Sequence, residues 1–161
     1  MRILLVLFSV SLVISPGHSH LSAKGDSITN AIHNIINIAR ITLVHIQKLW
    51  TKMPVAPQIY ITTPSIEGLT NISHDLGLLD NELLSPVTEL LSQIQADVSS
   101  LEGRVRSLAL TMDCPIQPRS SRSSAKTSDD LFPDSHLYLT LTKVQHYLET
   151  LILNKDKLSV C

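Results

Sequence analysis

Glycine and aromatic side chains are scarce in this sequence, and cysteine is rarer still. Five glycines and six aromatic residues in 161 positions leave little material for the tight turns and stacked rings of a sandwich or barrel. No charge of one sign dominates. The formal net charge is −1, and losing Arg2 with a leader makes it about −2, which argues against nucleic acid or an anionic membrane as a partner. G-x-S-x-G, H-E-x-x-H, P-loop and C-x-x-C patterns are all missing. No histidine pairs with another histidine or a cysteine at ligand spacing, so neither a metal nor another cofactor is expected. With acidic residues scattered over outer helix faces, the chain reads as a non-enzyme.

What is present begins with the first residues. "MRILLVLFSVSLVISPGHSHLSAKG" offers one positive charge at Arg2, an apolar run Ile3–Ile14, then Pro16, Gly17 and small residues. That layout is a secretory signal peptide, with cleavage expected after Ser19. The run is shorter than the roughly 20 residues a membrane span needs. Residues 20–161 then form the mature chain, roughly 140 residues, enough for one domain with a real core. It is expected to be extracellular, soluble and monomeric.

Leu and Ile recur at helical spacing. At 100° per residue, Ile28, Ile35, Ile36, Ala39, Leu43, Ile46 and Trp50 fall within about 60° of Ile32. Asp26 or Ser27 offers a cap and Pro54 forbids continuation, giving helix A over 27–50. "TPSIE" and "SPVTE" each place a hydroxyl residue before proline and a glutamate in the first turn, a helix-start signal. They predict helix B over 64–83 and helix C over 86–112. Helix D starts near Asp134 or Ser135 and carries Leu137, Leu141, Val144, Leu148 and Leu151.

The connections choose the topology. Helix A, at about 24 residues, is roughly 36 Å long, and Thr51–Thr63 extended reaches roughly 43 Å, enough to run back along it. Only Leu84 and Ser85 separate B from C, so those two are antiparallel neighbours. Pro115–Pro133 spans up to roughly 60 Å. Long, short, long is the signature of an all-α, up-up-down-down four-helix bundle with two crossovers.

This topology gives the two cysteines a role. Cys161 is the last residue of the sequence, and Cys114 closes helix C. A thiol there is a chance residue, a tether to a second chain, or half of an internal bridge. In up-up-down-down order C and D are parallel, so Cys114 and Cys161 share one pole. An up-down-up-down bundle separates them far beyond the roughly 7 Å between bridged Cα atoms. An internal disulfide is therefore expected, worth about 4 kcal/mol on the chain-entropy model. Within the second crossover, Arg119–Asp130 is Ser-rich and polar, the composition of a solvated loop.

Two further signals stand. Asn71-Ile72-Ser73 is an N-x-S sequon on helix B, off the buried stripe, where a glycan and an unmodified asparagine are both open readings. Ile41, Val44, Leu110, Leu139 and Leu153 lie off the stripes, as scattered exposed aliphatics or as patches for partner proteins.

"IARI" in helix A, "SQIQADVSSL" to "LALTMDC" in helix C, and "LTLTKVQHYLETLI" to the final cysteine in helix D resemble the leptin family of class-I helical cytokines, its fish members in particular. The resemblance covers the mature chain. It implies a secreted hormone that binds and activates a class-I cytokine receptor, the leptin receptor, to regulate feeding and energy balance. It implies receptor contacts on helices A and C at Arg40, Gln93 and Asp97. At the start of helix D it implies an activation contact at Ser135 and, beside it, His136, where a threonine would be the family pattern. Ile59 and Tyr60 in the A–B loop are candidates for receptor contact or for packing over the bundle. Another helical cytokine is one alternative, though those relatives generally place their cysteines differently; the rival class is a secreted, apolipoprotein-like lipid-binding protein, which the low aromatic content and amphipathic helices suit. Its interfacial helices would want a Lys/Arg-rich polar face, which this chain lacks.

Overall fold

The structure, a computed structural model, describes residues 19–53, 60–62, 64–84, 91–118 and 133–161. The expected signal segment, Ile59, the Ser85-Pro86 helix start and the Ser-rich crossover lie outside the described residues. Four helices carry the fold: α1 (Ser19–Trp50), α2 (Leu69–Leu83), α3 (Ser92–Thr111) and α4 (Pro133–Leu153), followed by a 3-10 turn over Lys155–Ser159.

Side-chain pairs give the directions. His45, late in α1, meets Asp97, early in α3, while Ile28 and Ala31 share a groove with Leu108 and Thr111 at the opposite ends. Trp50 closes α1 against Gln145 and Tyr138 of α4. Asp80 of α2 accepts from Gln95 of α3, and Glu82 and Asp75 of α2 meet Lys143 and Tyr147 of α4. Thus α1 and α2 run one way, α3 and α4 the other, and each helix packs on both helices of the opposite direction. α1 lies diagonal to α2, and α3 to α4. This is the expected up-up-down-down bundle, and its core is the expected stripes. Ile35, Ile46, Leu69, Ile72, Leu76, Ile94, Leu101, Leu141, Leu148 and Leu151 are fully buried, each worth about 1.5–3 kcal/mol of transfer free energy. Among the described residues the apolar stripes are turned into the core, not outward as the continuous apolar face that the lipid-binding reading needs.

Cys114 and Cys161 are joined, with Cα atoms 5.3 Å apart, as the parallel α3 and α4 require. A local device aims Cys114. Asp113 sits at φ 58°, its N–H donates to Leu110 O (3.2 Å), and the Cys114 N–H donates to Ala109 O (2.9 Å). These two bonds are the Schellman closure of a helix, with aspartate where glycine is usual.

Two expected helix starts are corrected. α1 begins at Ser19, not at 27. Thr29 donates to Gly25 O (3.1 Å), so Asp26 and Ser27 lie inside the helix; a capping residue permits a start without imposing one. α2 begins at Leu69 rather than Pro64, because Ile66 is drawn into the core and the acceptors for the first turn come from elsewhere. Leu69 N–H donates to Val160 O (2.9 Å) and Thr70 N–H to Cys161 O (3.4 Å), with no side-chain cap. α4 opens on Pro133, in keeping with the expected start near Asp134 or Ser135. The 3-10 turn, unforeseen in the sequence, buries Leu158 and brings residues 160–161 to the α2 start.

Candidate functional site: the α1–α3 face and the start of α4

The outward side of α1 carries an apolar centre in polar surroundings. Ile41 and Val44 are 52% and 47% exposed, beside exposed Arg40, Gln47 and Lys48. Burying these aliphatics inside the bundle would require rotating Ala39, Thr42 and Ile46 out of it, and all three are fully buried. The exposure is therefore dictated by the helix period, not by a loose core.

Of the three residues expected on this surface, the structure brings two together. Gln93 donates to one oxygen of Asp97 (2.8 Å), and His45 Nδ1 lies against the other (2.5 Å). The Asp97 side chain is only 14% exposed, so much of its surface is spent tying α3 to α1. Arg40 is five residues before His45, about 140° around the helix, and lies on a different side of α1 from that tie. His45 is the participant the sequence reading missed. Its position relative to Asp97 depends on the rotation of two helices, for which no local pattern exists.

Towards the other end of the same seam, α1 and α3 leave an open groove of about 570 Å³. Ile28, Ala31 and Leu108 line it together with Asn30, Asn34 and Ser107, while Asp26 and Arg104 add one charge of each sign. Leu110, also expected off the stripe, is 63% exposed, as is Leu153 at 82%, whereas Leu139 is half-buried.

At the start of α4, Ser135 is exposed and His136 half-buried. Ser135 is the third residue of the helix and so lies past the capping position. Three residues on, Tyr138 stacks on Trp50 with ring centroids 5.7 Å apart and planes 15° from parallel. The Trp50 indole N–H also donates to Gln145 (2.9 Å). The two rings clamp the end of α1 to the first turns of α4, which fixes where Ser135 and His136 stand. Tyr60 is 92% exposed, so packing over the bundle is not what it does.

A hydrogen-bonded pair of ionisable groups, buried Tyr147 and half-buried Asp75, lies elsewhere. Tyr147 of α4 donates to Asp75 of α2 (3.3 Å). Burial raises the Asp75 carboxyl above the ordinary range, against the Tyr147 hydrogen bond and His74, which lower it; Glu67 adds a smaller upward push. Burial, then the Asp75 charge and hydrogen bond, raise the Tyr147 phenol. The pair joins α2 to α4 and is remote from the α1 face. Among the described residues, no His, Cys, Asp or Glu cluster offers a metal site.

An all-α bundle whose helices run up-up-down-down, with the final two parallel, has the topology of the four-helix cytokine class. Comparison with known proteins makes the family specific. Leptin-B of Oryzias latipes is 53% identical over 157 residues, which is 98% of this chain and 98% of that one. The chain belongs to the leptin family of hormones. No protein-family model matches it.

Proposed function

We propose that this chain is a secreted hormone that binds and activates a class-I cytokine receptor of the leptin-receptor kind, and through it regulates feeding and energy balance. In this reading residues 1–19 are the secretory leader and 20–161 the hormone. The observation that carries it is identity at 53% along 98% of a leptin. The expected cleavage after Ser19 takes only the first residue of α1 with the leader. Among the described residues no helix is long and apolar enough to cross a membrane.

Receptor contact is assigned to the outward face of α1, centred on Ile41 and Val44 with Arg40 at its edge. Gln93 supplies a contact from α3, and Asp97 chiefly holds Gln93 and His45 in place. Exposed aliphatics framed by polar groups are the composition of an interface core with its rim. Ser135 and His136 are assigned to completing the active receptor complex. Replacing both by Ala tests this second assignment. Receptor affinity and melting temperature stay near the parent's, because Ser135 is not a cap, while reporter signalling collapses. Signalling that follows the folded fraction would remove the activation site from α4.

A further inference from the structure

The sequon Asn71-Ile72-Ser73 is left unused by the receptor reading. It forms the third to fifth residues of α2. Ile72 and Ser73 are buried, while Asn71 is half-exposed and its Nδ2 donates to Glu67 on the outer surface (2.8 Å). Asn71 and exposed Leu78 are two turns apart, on the side of α2 turned from the core. In the finished fold a substituent on Nδ2 leaves directly into solvent. In the finished fold, too, the sequon is helical and its Ser73 hydroxyl inaccessible, so it cannot be read by an enzyme that must grip all three residues.

The order of synthesis resolves that conflict. The first N–H groups of α2 are satisfied by Val160 O and Cys161 O, and Gly68 packs on Cys161. The start of α2 is therefore incomplete until the last residues of the sequence have been made, and chains are made from the N-terminus. A first turn without its acceptors frays. The sequon, which begins at the third residue of this helix, is thus freer to open before residues 160–161 arrive than after they have docked.

We propose that Asn71 carries an N-linked glycan, transferred before residues 160–161 close the start of α2. The inference rests on the secretion reading above, since the donor is a lipid-pyrophosphate-linked oligosaccharide of the secretory lumen. The Asn71 amide nitrogen attacks C1 of the first sugar. One N–C bond forms, the C1–O bond to the pyrophosphate breaks, the lipid pyrophosphate leaves, and the amide gives up one proton. Because α2 is diagonal to α1, the glycan stands across the bundle from Ile41 and Val44 and leaves that face open.

The test is translation of the full chain with endoplasmic-reticulum microsomes, reading protease protection and mobility under denaturing conditions, where a variant's folding is immaterial. The proposal expects a protected product with a single-glycan shift that peptide-N-glycosidase removes. Asn71→Gln and Ser73→Ala should abolish the shift, and Ser73→Thr should keep it. Cys161→Ser should be glycosylated to the same extent as the parent; a marked increase would show that closure of the bundle competes, overturning the proposed order. A protected product with no shift overturns the glycan while leaving secretion standing. A product digested by protease overturns the secretion reading and the proposal with it.

Discussion

Gly68 lies directly against Cys161: a Cβ at position 68 would stand 2.6 Å from the carbonyl carbon and oxygen of Cys161 and 3.2 Å from Val160 O. Glycine is required here by the close approach of two backbones. The contact lets the end of the chain serve as the cap of α2, while the disulfide fastens the same end to α3. Three helix ends are thereby joined at one pole.

Gly68→Ala should accordingly destabilise the protein by about 1–3 kcal/mol, the usual range for overpacking. Denaturant unfolding measures the loss, and hydrogen exchange should show it concentrated in Leu69 and Thr70, whose N–H groups lose their acceptors.

Asp113 holds a left-handed conformation that glycine adopts freely and alanine does not. Asp113→Gly should be more stable than the parent and Asp113→Ala less, with about 1 kcal/mol between the two variants by the same unfolding assay.

Burial raises the Asp75 carboxyl, so the folded chain holds this proton more tightly than the unfolded one. Its favourable contribution is complete below the unfolded aspartate value and is lost as pH rises through the higher folded value. Asp75→Asn keeps an oxygen for the Tyr147 hydroxyl and removes the charge. The variant's stability relative to the parent should therefore grow as pH rises through that window and then level off. A difference independent of pH between 3 and 7, on the ordinary carboxylate scale of about 4, would contradict the assignment.

Arg40 and Asp97 should part company in stability. Arg40 is exposed and makes no hydrogen bond among the described residues, so Arg40→Ala should change unfolding free energy by no more than about 0.5 kcal/mol. Asp97→Ala leaves both His45 and Gln93 without their acceptor and should cost about 1–3 kcal/mol. Equal effects in urea unfolding would mean that the α1–α3 tie contributes nothing.

Bundle order, buried stripes and the disulfide were legible in the sequence because each follows from period and loop length. Ile35, Leu76, Val98 and Leu141 could be placed by 100° steps alone, and the two long connections left one topology for Cys114 and Cys161. Helix starts were less legible. The Pro64 signal is genuine local chemistry, yet α2 waits until Leu69 because its acceptors, Val160 and Cys161, come from the far end of the chain. On the functional surface, Ile41 and Val44 were visible as apolar residues off the stripe. The His45–Asp97 contact was not, since it depends on how two helices are rotated against each other.

Calorimetric titration of a leptin-receptor ectodomain tests the central claim most directly. The variant is Arg40→Ala combined with Ile41→Ser and Val44→Ser, and its control is Leu78→Ser, an equally exposed aliphatic on diagonal α2. All three changes are at exposed positions, so both proteins should melt near the parent temperature. Removing an interface core is expected to weaken binding at least about tenfold, with the control binding as the parent does. Parent-like affinity of the triple variant, or an equal loss in the control, would contradict the assignment of receptor contact to the outward face of α1.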